Sequence, residues 1–182
     1  MKALILTASS DKNVKAGVET HTEQLKSIFR GSESIGFEDT KGNLFSGFSP
    51  LKEPLKALAV CGAAEKRAME FGPDIIITQG MYGWPAKTKN FGGAPVLNFS
   101  HGTFAGLAEN AIPKNRPEYY RTRFIYSAFE AMSARNASAV VSNSELTRQM
   151  NLKYYGVSSE VVHNFIDTEI FRPISKSTAR KK

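Results

Sequence analysis

The chain has 182 residues, of which 41% are hydrophobic and 23% are charged, and this excludes a disordered or fibrous chain while fitting one globular domain. No run of about 18 apolar residues is present, so the sequence predicts no membrane-spanning helix. The net charge is +7, and four positive charges come from the end of the chain, at Lys176, Arg180, Lys181 and Lys182. We expect no nucleic-acid partner, because basic and aromatic residues are not interleaved elsewhere.

The single cysteine and the N-terminus indicate the compartment. Cys61 has no second cysteine with which to form an internal disulfide, and its apolar surroundings favour a buried, inert thiol. The apolar run that begins the chain is too short for a signal peptide and reads better as a strand. These features predict a cytoplasmic protein. The positive charge also permits peripheral contact with an anionic membrane.

Strand and helix patterns alternate in the first half of the chain. The continuous apolar run from Lys2 to Thr7 predicts a buried first strand, and a second is predicted at 74–78. Residues 31–50 have no clear period and predict an irregular strand with loops. Gly72-Pro73 ends the second helix. The two helices between these strands are predicted to bury Val18, Leu25, Ile28 and Phe29, and then Leu55, Leu58, Gly62 and Met69.

The second half continues the alternation. Strands are predicted at 94–99, 138–142 and 160–163, and Arg116-Pro117 opens a long helix that ends near Asn136. That helix is predicted to align Tyr120, Phe124, Ala128 and Met132. Ser142-x-x-Glu145 predicts a capping box for the next helix, which Gly156 closes. The sequence therefore predicts an α/β fold, Rossmann-like and doubly wound, with a mainly parallel sheet and helices on both faces.

Ligands of such sheets bind at the carboxyl ends of the strands, and the candidate site residues follow from that rule. Gly17 and Glu19 open the helix after the first strand, where backbone N–H groups attract anions. Later strand ends are followed by the other candidates, namely Tyr82, Trp84, His101, Gly102 and Ser142. Arg123 is a candidate for contacting an acceptor phosphate, with the alternative that it forms a solvated helix face with Arg116 and Glu130.

Several of these segments resemble retaining GT-B glycosyltransferases, the large family that includes glycogen synthase, sucrose synthase and bacterial mannosyltransferases. Ala16-Gly17-Val18-Glu19 is similar to the family's Gly-Gly-x-Glu loop, although one Gly is Ala here. Ser100-His101-Gly102 resembles its x-His-Gly element, and Val140–Ser144 and Tyr154–Val157 resemble later elements. The most specific similarity is Asn164-x-x-Asp167-Thr168-x-x-Phe171-x-Pro173, which resembles the segment that joins the family's two domains.

The resemblance implies transfer of a hexose from a nucleotide sugar to a hydroxyl acceptor, with no essential metal and no other cofactor. It implies that residues 1–163 form the acceptor-side N-terminal domain, of the type called glycosyltransferase subfamily 4-like. Residues 164–174 would be the interdomain linker, and 175–182 a basic tail. The nucleotide and an acidic Glu-x7-Glu pair would belong to a C-terminal domain that these residues do not include. We therefore expect this chain to be inactive without that partner domain.

The resemblance also implies roles for single residues. His101 would contact the donor sugar near the reacting centre without acting as a nucleophile. From its position at the carboxyl edge of the sheet, we expect a neutral imidazole to donate a hydrogen bond to a sugar hydroxyl or to the donor phosphate. The alternative is that His101 only caps its loop. The alternative for Gly17 is a turn glycine, and the alternative for Glu19 is an acid in the first helical turn, where the helix dipole favours it. Tyr82 and Trp84 either stack on the acceptor or pack within the loop. His21 and His163 are predicted to be structural, and the scattered histidines predict no metal site.

Three alternatives stay open. The acceptor is a polysaccharide, a glycolipid or a small metabolite. The chain is either half of the enzyme described above or a complete single-domain Rossmann-like binding or scaffold protein without turnover. A further alternative is another GT-B enzyme, such as a sugar-nucleotide epimerase.

Overall fold

The computed structural model of the protein describes residues 1–11, 17–40, 50–165 and 180. In these ranges the chain forms one sheet of six strands, all of them parallel. In order across the sheet the strands are β2 (Glu33–Ile35), β1 (Ala3–Leu6), β3 (Ile75–Gln79), β4 (Val96–Ser100), β5 (Ala139–Ser142) and β6 (Glu160–Val161). The predicted α/β class with a parallel sheet is confirmed.

Helices cover both faces of the sheet. They are α1 (Gly17–Ile28), α2 (Lys52–Phe71), α3 (Phe104–Ala111), α4 (Pro117–Tyr120), α5 (Ser127–Asn136) and α6 (Glu145–Met150). A π-helical segment, Arg121–Tyr126, joins α4 to α5, and another, Asn151–Tyr155, extends α6. Short 3₁₀ helices occupy Phe37–Asp39, Gly80–Gly83 and Thr88–Phe91. In the described ranges, no helix has the length and apolar character needed to cross a membrane.

The alternation of side chains along β1 shows how the sheet is buried. Leu4 and Leu6 pack into a cluster with α2, whereas Ala3 and Ile5 pack into a cluster with Leu25 of α1. All four of these β1 side chains are completely buried. Because successive side chains of a strand point to opposite faces, α1 and α2 lie on opposite sides of the sheet. This arrangement confirms the doubly wound prediction.

The predicted buried faces were largely wrong for α2 and for the helix of α4 and α5, whereas in α1 Leu25 is buried and Phe29 packs against the same cluster, as predicted. In α2, Leu58 and Met69 are exposed, and in the continuous helix of α4 and α5, Tyr120 and Phe124 are exposed. Ile28 of α1 is exposed as well. The helices instead bury small or polar side chains, which are His21, Thr22, Ala57, Val60, Cys61, Ala64, Ala68, Ser127, Glu130, Ala131, Ser133 and Ala134. Small side chains let a helix backbone approach its neighbours closely, and this close packing outweighs the burial of the larger residues.

The helix ends confirm two predictions and correct one. Gly72 and Gly156 end their helices in the left-handed conformation that favours glycine. The predicted capping box at Ser142 was wrong, because the cap of α6 is Ser144, whose Oγ accepts the N–H of Thr147 at 3.2 Å. Helix α3 was not predicted. The predicted linker and tail, 164–174 and 175–182, lie outside the described residues except for positions 164, 165 and 180.

Candidate functional site

One glutamine side chain bridges two histidines at the carboxyl edge of the sheet. Gln79 is the last residue of β3, and His101 directly follows the neighbouring strand β4. Nε2 of His101 lies 2.7 Å from Oε1 of Gln79. The amide nitrogen of Gln79 lies 3.3 Å from Nδ1 of His21 and 3.4 Å from Oγ1 of Thr22, both on α1. Residues that follow three neighbouring strands of the sheet, β1, β3 and β4, therefore meet at Gln79.

The two ends of the Gln79 amide determine the tautomer of each histidine. Because Oε1 can only accept, the hydrogen of His101 is on Nε2. Because the amide nitrogen can only donate, Nδ1 of His21 accepts and its hydrogen is on Nε2. This assignment leaves Nδ1 of His101 as an acceptor to which no described residue donates a hydrogen bond.

Both histidines are neutral at pH 7. Burial lowers the pKa of His101 to about 4, with a smaller contribution from nearby His21. Burial also lowers the pKa of His21, although the hydrogen bond from Gln79 opposes that change. The two ring centroids are 4.7 Å apart in an edge-to-face arrangement. A charged imidazolium is therefore disfavoured here, since it would be desolvated and close to a second ring of the same kind.

A cleft of about 540 Å³ lies beside His101. Most of its walls are apolar and come from Ala8, Val18, Met81, Phe104, Leu107 and Tyr126. Its polar groups include His101, Gln79, Thr103, Glu53 and Glu130. No lysine or arginine lines it among the residues that the structure describes. A concave, mostly apolar pocket with a few converging polar groups is typical of a small-molecule site.

Glu130 is the most buried carboxyl group of this cleft. Its residue is 6% exposed, and its Oε2 accepts hydrogen bonds from the N–H of Phe104 at 2.7 Å and from Oη of Tyr155 at 2.5 Å. Burial raises the pKa of Glu130 to about 7. The prediction that Glu130 belongs to a solvated face with Arg116 and Arg123 was therefore wrong. The helix turns its other side to solvent.

Three of the predicted site residues line the cleft. They are His101, Gly102 and Tyr82. Gly102 has a φ of +156°, a conformation that L side chains rarely adopt, and a Cβ there would meet no atom within 4 Å. The hydroxyl of Tyr82 donates to Oε2 of Glu53 at 3.0 Å, which holds its ring in the wall of the cleft.

Gly17 and Glu19 lie near the cleft without lining it. Gly17 begins α1 next to Val18, which does line the cleft. A Cβ at Gly17 would meet no atom within 4 Å, and its φ is not positive, so neither packing nor the described backbone requires glycine. Residues 12–16, including Ala16 of the predicted loop, lie outside the described residues. The anion-binding role of this loop therefore stays a prediction.

Trp84, Ser142 and Arg123 lie elsewhere and have partners inside the protein. Nε1 of Trp84 donates to the carbonyl of Pro54 at 3.0 Å, and its ring packs on Phe129. Ser142 is completely buried, with hydrogen bonds to Ser159 and Asn151. Arg123 forms an ion pair with Glu109 at 3.0 Å. This geometry does not support their predicted contacts with substrate.

The sequence reasoning missed Gln79 and Glu130 and assigned His21 only to the core. Gln79 follows a run of apolar strand residues, so its position at a strand end was available as a signal. Glu130 shares a helix face with Ser127, Ala131 and Ala134. A single acidic residue on a face of small residues was a weaker signal of a buried carboxyl group. Among the described residues, no three His, Cys, Asp or Glu side chains come together as metal ligands.

Comparison with known proteins gives one family match. A family model described as Glycosyltransferase Family 4 matches residues 35–170 of this chain. Among solved structures, the chain is similar to Glycyrrhiza uralensis UGT73P12 complexed with glycyrrhetinic acid 3-O-monoglucuronide, with 17% identity and a TM-score of 0.43. That similarity covers 87% of this chain and 41% of the other, so this chain spans less than half the length of that protein. No curated protein matches the chain.

Proposed function

Because the chain belongs to glycosyltransferase family 4, we propose that it is the acceptor-side domain of an enzyme that transfers a hexose from a nucleotide sugar to a hydroxyl group. The observation that carries this proposal is the His101–Gln79 pair at the carboxyl ends of β3 and β4, beside an apolar cleft. Carboxyl ends of parallel strands are where sheets of this kind bind their ligands. The family supports glycosyl transfer, and the cleft at this edge of the sheet is consistent with the proposal.

His101 would orient the donor sugar by accepting a hydrogen bond. Its Nε2–H is directed to Gln79, so the nitrogen that remains for a ligand is Nδ1, an acceptor. A sugar hydroxyl can donate to that atom, whereas the phosphate of a nucleotide sugar cannot. We therefore prefer the sugar hydroxyl over the donor phosphate as the partner of His101. The role is one of positioning, which lowers the barrier by holding the reacting carbon near the acceptor.

A second domain would provide the rest of the site. A neutral His101 with a pKa of about 4 does not offset the charge that develops on a leaving diphosphate at pH 7. In this proposal that charge is met by a donor-binding domain, which also carries the nucleotide site and the acidic Glu-x7-Glu pair. No metal and no other cofactor take part in the proposed reaction. The 182-residue chain alone is then expected to have no glycosyl transfer activity.

The test compares two proteins. The 182-residue chain, and a longer protein that joins it to its donor-binding domain, are each incubated with radiolabelled UDP-glucose or GDP-mannose and a panel of alcohols. We expect transfer only by the longer protein, and loss of most of it in the His101→Ala variant. Turnover by the 182-residue chain alone would contradict the two-domain proposal. Absence of transfer by both, with ligand binding retained, would favour the binding-protein alternative.

A further inference from the structure

The walls of the cleft restrict what can bind there. Met81, Phe104, Leu107 and Tyr126 form apolar walls, and few polar groups are available between them. A hydroxyl that loses water without gaining a hydrogen bond costs free energy, so an oligosaccharide with many hydroxyls is a poor occupant. An apolar ring or chain gains free energy from the same walls.

The charged residues of the cleft further restrict which ligands can bind there. Its charged lining residues are Glu53 and Glu130, and no lysine or arginine joins them in the part of the chain that the structure describes. Glu53 is already occupied, since its Oε1 pairs with Lys56 at 2.9 Å and its Oε2 accepts from Tyr82. A phosphate group placed here would meet carboxyl groups and no positive partner, so phosphorylated ligands are disfavoured.

Glu130 has one carboxyl oxygen to offer a ligand. Its Oε2 is held by the N–H of Phe104 and the hydroxyl of Tyr155, whereas no described residue donates to Oε1. The residue is 6% exposed and lines the cleft, so the free oxygen has little contact with bulk water. Because Glu130 lines the cleft, this oxygen is available to accept a hydrogen bond from a ligand hydroxyl that enters it.

We propose that this cleft binds an uncharged alcohol whose hydroxyl sits on an apolar ring or chain, with the hydroxyl donating to Oε1 of Glu130. The role of this alcohol as the acceptor of sugar transfer rests on the proposed function. The binding of the alcohol in the cleft is independent of the proposed function. Of the acceptor classes that the sequence left open, the proposal selects an amphipathic alcohol over a polysaccharide or a phosphorylated metabolite.

The proposal is tested by binding of four small probes to the 182-residue chain. They are 2-naphthol, naphthalene, 2-naphthyl phosphate and maltotriose, and affinity is followed by ligand-observed NMR at pH 8, where 2-naphthol is neutral. We expect 2-naphthol to bind at least about tenfold more tightly than 2-naphthyl phosphate or maltotriose. Equal or tighter binding of either competitor would overturn the proposal, as would failure of 2-naphthol to bind at millimolar concentration.

Variants test the atom that recognises the hydroxyl. Glu130→Gln keeps an oxygen for Phe104 and Tyr155 but turns an amide N–H₂ toward the cleft. The substitution should lower the affinity for 2-naphthol about tenfold and leave the affinity for naphthalene unchanged. The matched control is Glu109→Gln, because Glu109 also accepts from a tyrosine, Tyr154 at 2.8 Å, and does not line the cleft. Equal effects of the two substitutions on 2-naphthol would contradict the role of Glu130.

A further variant remains informative if Glu130→Gln folds poorly. Leu107 lines the cleft and is 49% exposed, so Leu107→Glu should fold. The substitution should lower the affinity for 2-naphthol and for naphthalene to a similar extent. Unchanged binding of both would place them outside the cleft and overturn the proposal. Sugar transfer is assayed separately in the longer protein. If 2-naphthol binds as expected but no sugar is transferred, the alcohol site stands and only its role as the acceptor site fails.

Discussion

Glu130 on α5 caps the first turn of α3, because its Oε2 accepts the N–H of Phe104 at 2.7 Å, three residues after His101. The same oxygen accepts from Tyr155, which lies near the end of the described chain. One carboxyl group therefore links the His101 loop to two distant helical segments. It leaves its second oxygen to the cleft.

This buried carboxyl group should give the protein an unusual dependence on pH. In the folded state its pKa is raised to about 7, whereas in the unfolded chain it is near 4.5. The folded state therefore binds more protons between these values, and the free energy of unfolding contributed by Glu130 falls as pH rises through that range. Glu130→Gln should remove this loss, so the variant should gain a few kcal/mol relative to the wild type between pH 4.5 and 8. Chemical denaturation across that range measures it.

Glu109→Gln is the control for the preceding experiment, since Glu109 lies on the surface with Arg123 and Tyr154. It should show no gain in stability relative to the wild type between pH 4.5 and 8. A gain as large as that of Glu130→Gln would show that burial of Glu130 is not the cause.

His101 should act in the opposite direction. Its pKa is about 4 in the folded protein and 6.5 in the unfolded chain, so the unfolded state binds more protons between these values. Stability from His101 is complete above pH 6.5 and is lost as pH falls toward 4, by about 2 to 3 kcal/mol. In His101→Gln this part of the acid sensitivity should disappear. Denaturation of both proteins at pH 4, 5, 6 and 7 isolates the difference, and parallel curves would contradict it.

Gln79 should control the charge of His101. Gln79→Glu replaces the amide with a carboxylate that attracts an imidazolium, so the pKa of His101 should rise clearly above 4. NMR titration of the His101 ring protons measures the pKa directly. Gln79→Met, which removes the side-chain hydrogen bonds of Gln79 and adds no charge, should not raise the pKa of His101 to the same extent. If both variants shifted it equally, the bond at 2.7 Å would not be the main contact between the two side chains.

Removal of the imidazole should affect sugar transfer more than folding. His101→Ala in the longer, two-domain protein should lower turnover by roughly 10- to 100-fold, the scale of losing one positioning contact. The 182-residue chain with the same substitution should unfold within a few degrees of the wild type, because His101 is only partly buried. His163→Ala is the control, since that ring is exposed and lies within hydrogen-bond distance of the carbonyl of Asn143, away from the cleft. A large loss of stability with normal turnover per folded molecule would make His101 a loop-capping residue.

Two glycines provide a matched pair of substitutions. A Cβ at Gly17 meets no atom within 4 Å, so Gly17→Val should leave the melting temperature nearly unchanged while weakening use of the sugar donor by the two-domain protein. A Cβ at Gly83 would lie 2.8 Å from Cβ of Thr78 and 2.5 Å from Oγ of Ser133, so Gly83→Ala should cost about 1–3 kcal/mol. Thermal unfolding and donor kinetics separate the two. Normal donor kinetics for Gly17→Val would contradict the prediction that the loop at Gly17 binds an anion.

Most of the strands, and the edge of the sheet at which their carboxyl ends lie, could be predicted from the sequence, because apolar residues dominate buried parallel strands. Their order across the sheet was not predicted. Apolar residues lead both Ile75–Gln79 and Val96–Ser100, and His101 directly follows the second of these strands, where the sequence pattern placed it. The helix faces could not be predicted in the same way. Periodicity gives weight to large residues such as Leu58 and Met69, whereas the sheet accepts the small side of α2, with Ala57, Cys61 and Ala64.

The cleft itself could not be predicted, because its chemistry depends on contacts between distant segments. Glu130 and Phe104 are 26 positions apart, and Gln79 and His21 are 58 apart. The small residues on the helix face of Glu130 are only a weak local signal that its carboxyl group is buried. The burial of Ser142 could not be predicted for the same reason, since its partners Ser159 and Asn151 become neighbours only through tertiary packing.

The position of β1 inside the sheet has a consequence for synthesis of the chain. Its completely buried residues pair with β2 and, from Ala3 to Ile75 onward, with β3. At a translation rate of roughly 5–20 residues per second, the first strand emerges several seconds before β3 can join it. Throughout that interval Leu4, Ile5 and Leu6 have to stay in solution or with a chaperone. Slow decoding between β1 and β3 would therefore lengthen the interval in which the nascent chain is open to aggregation.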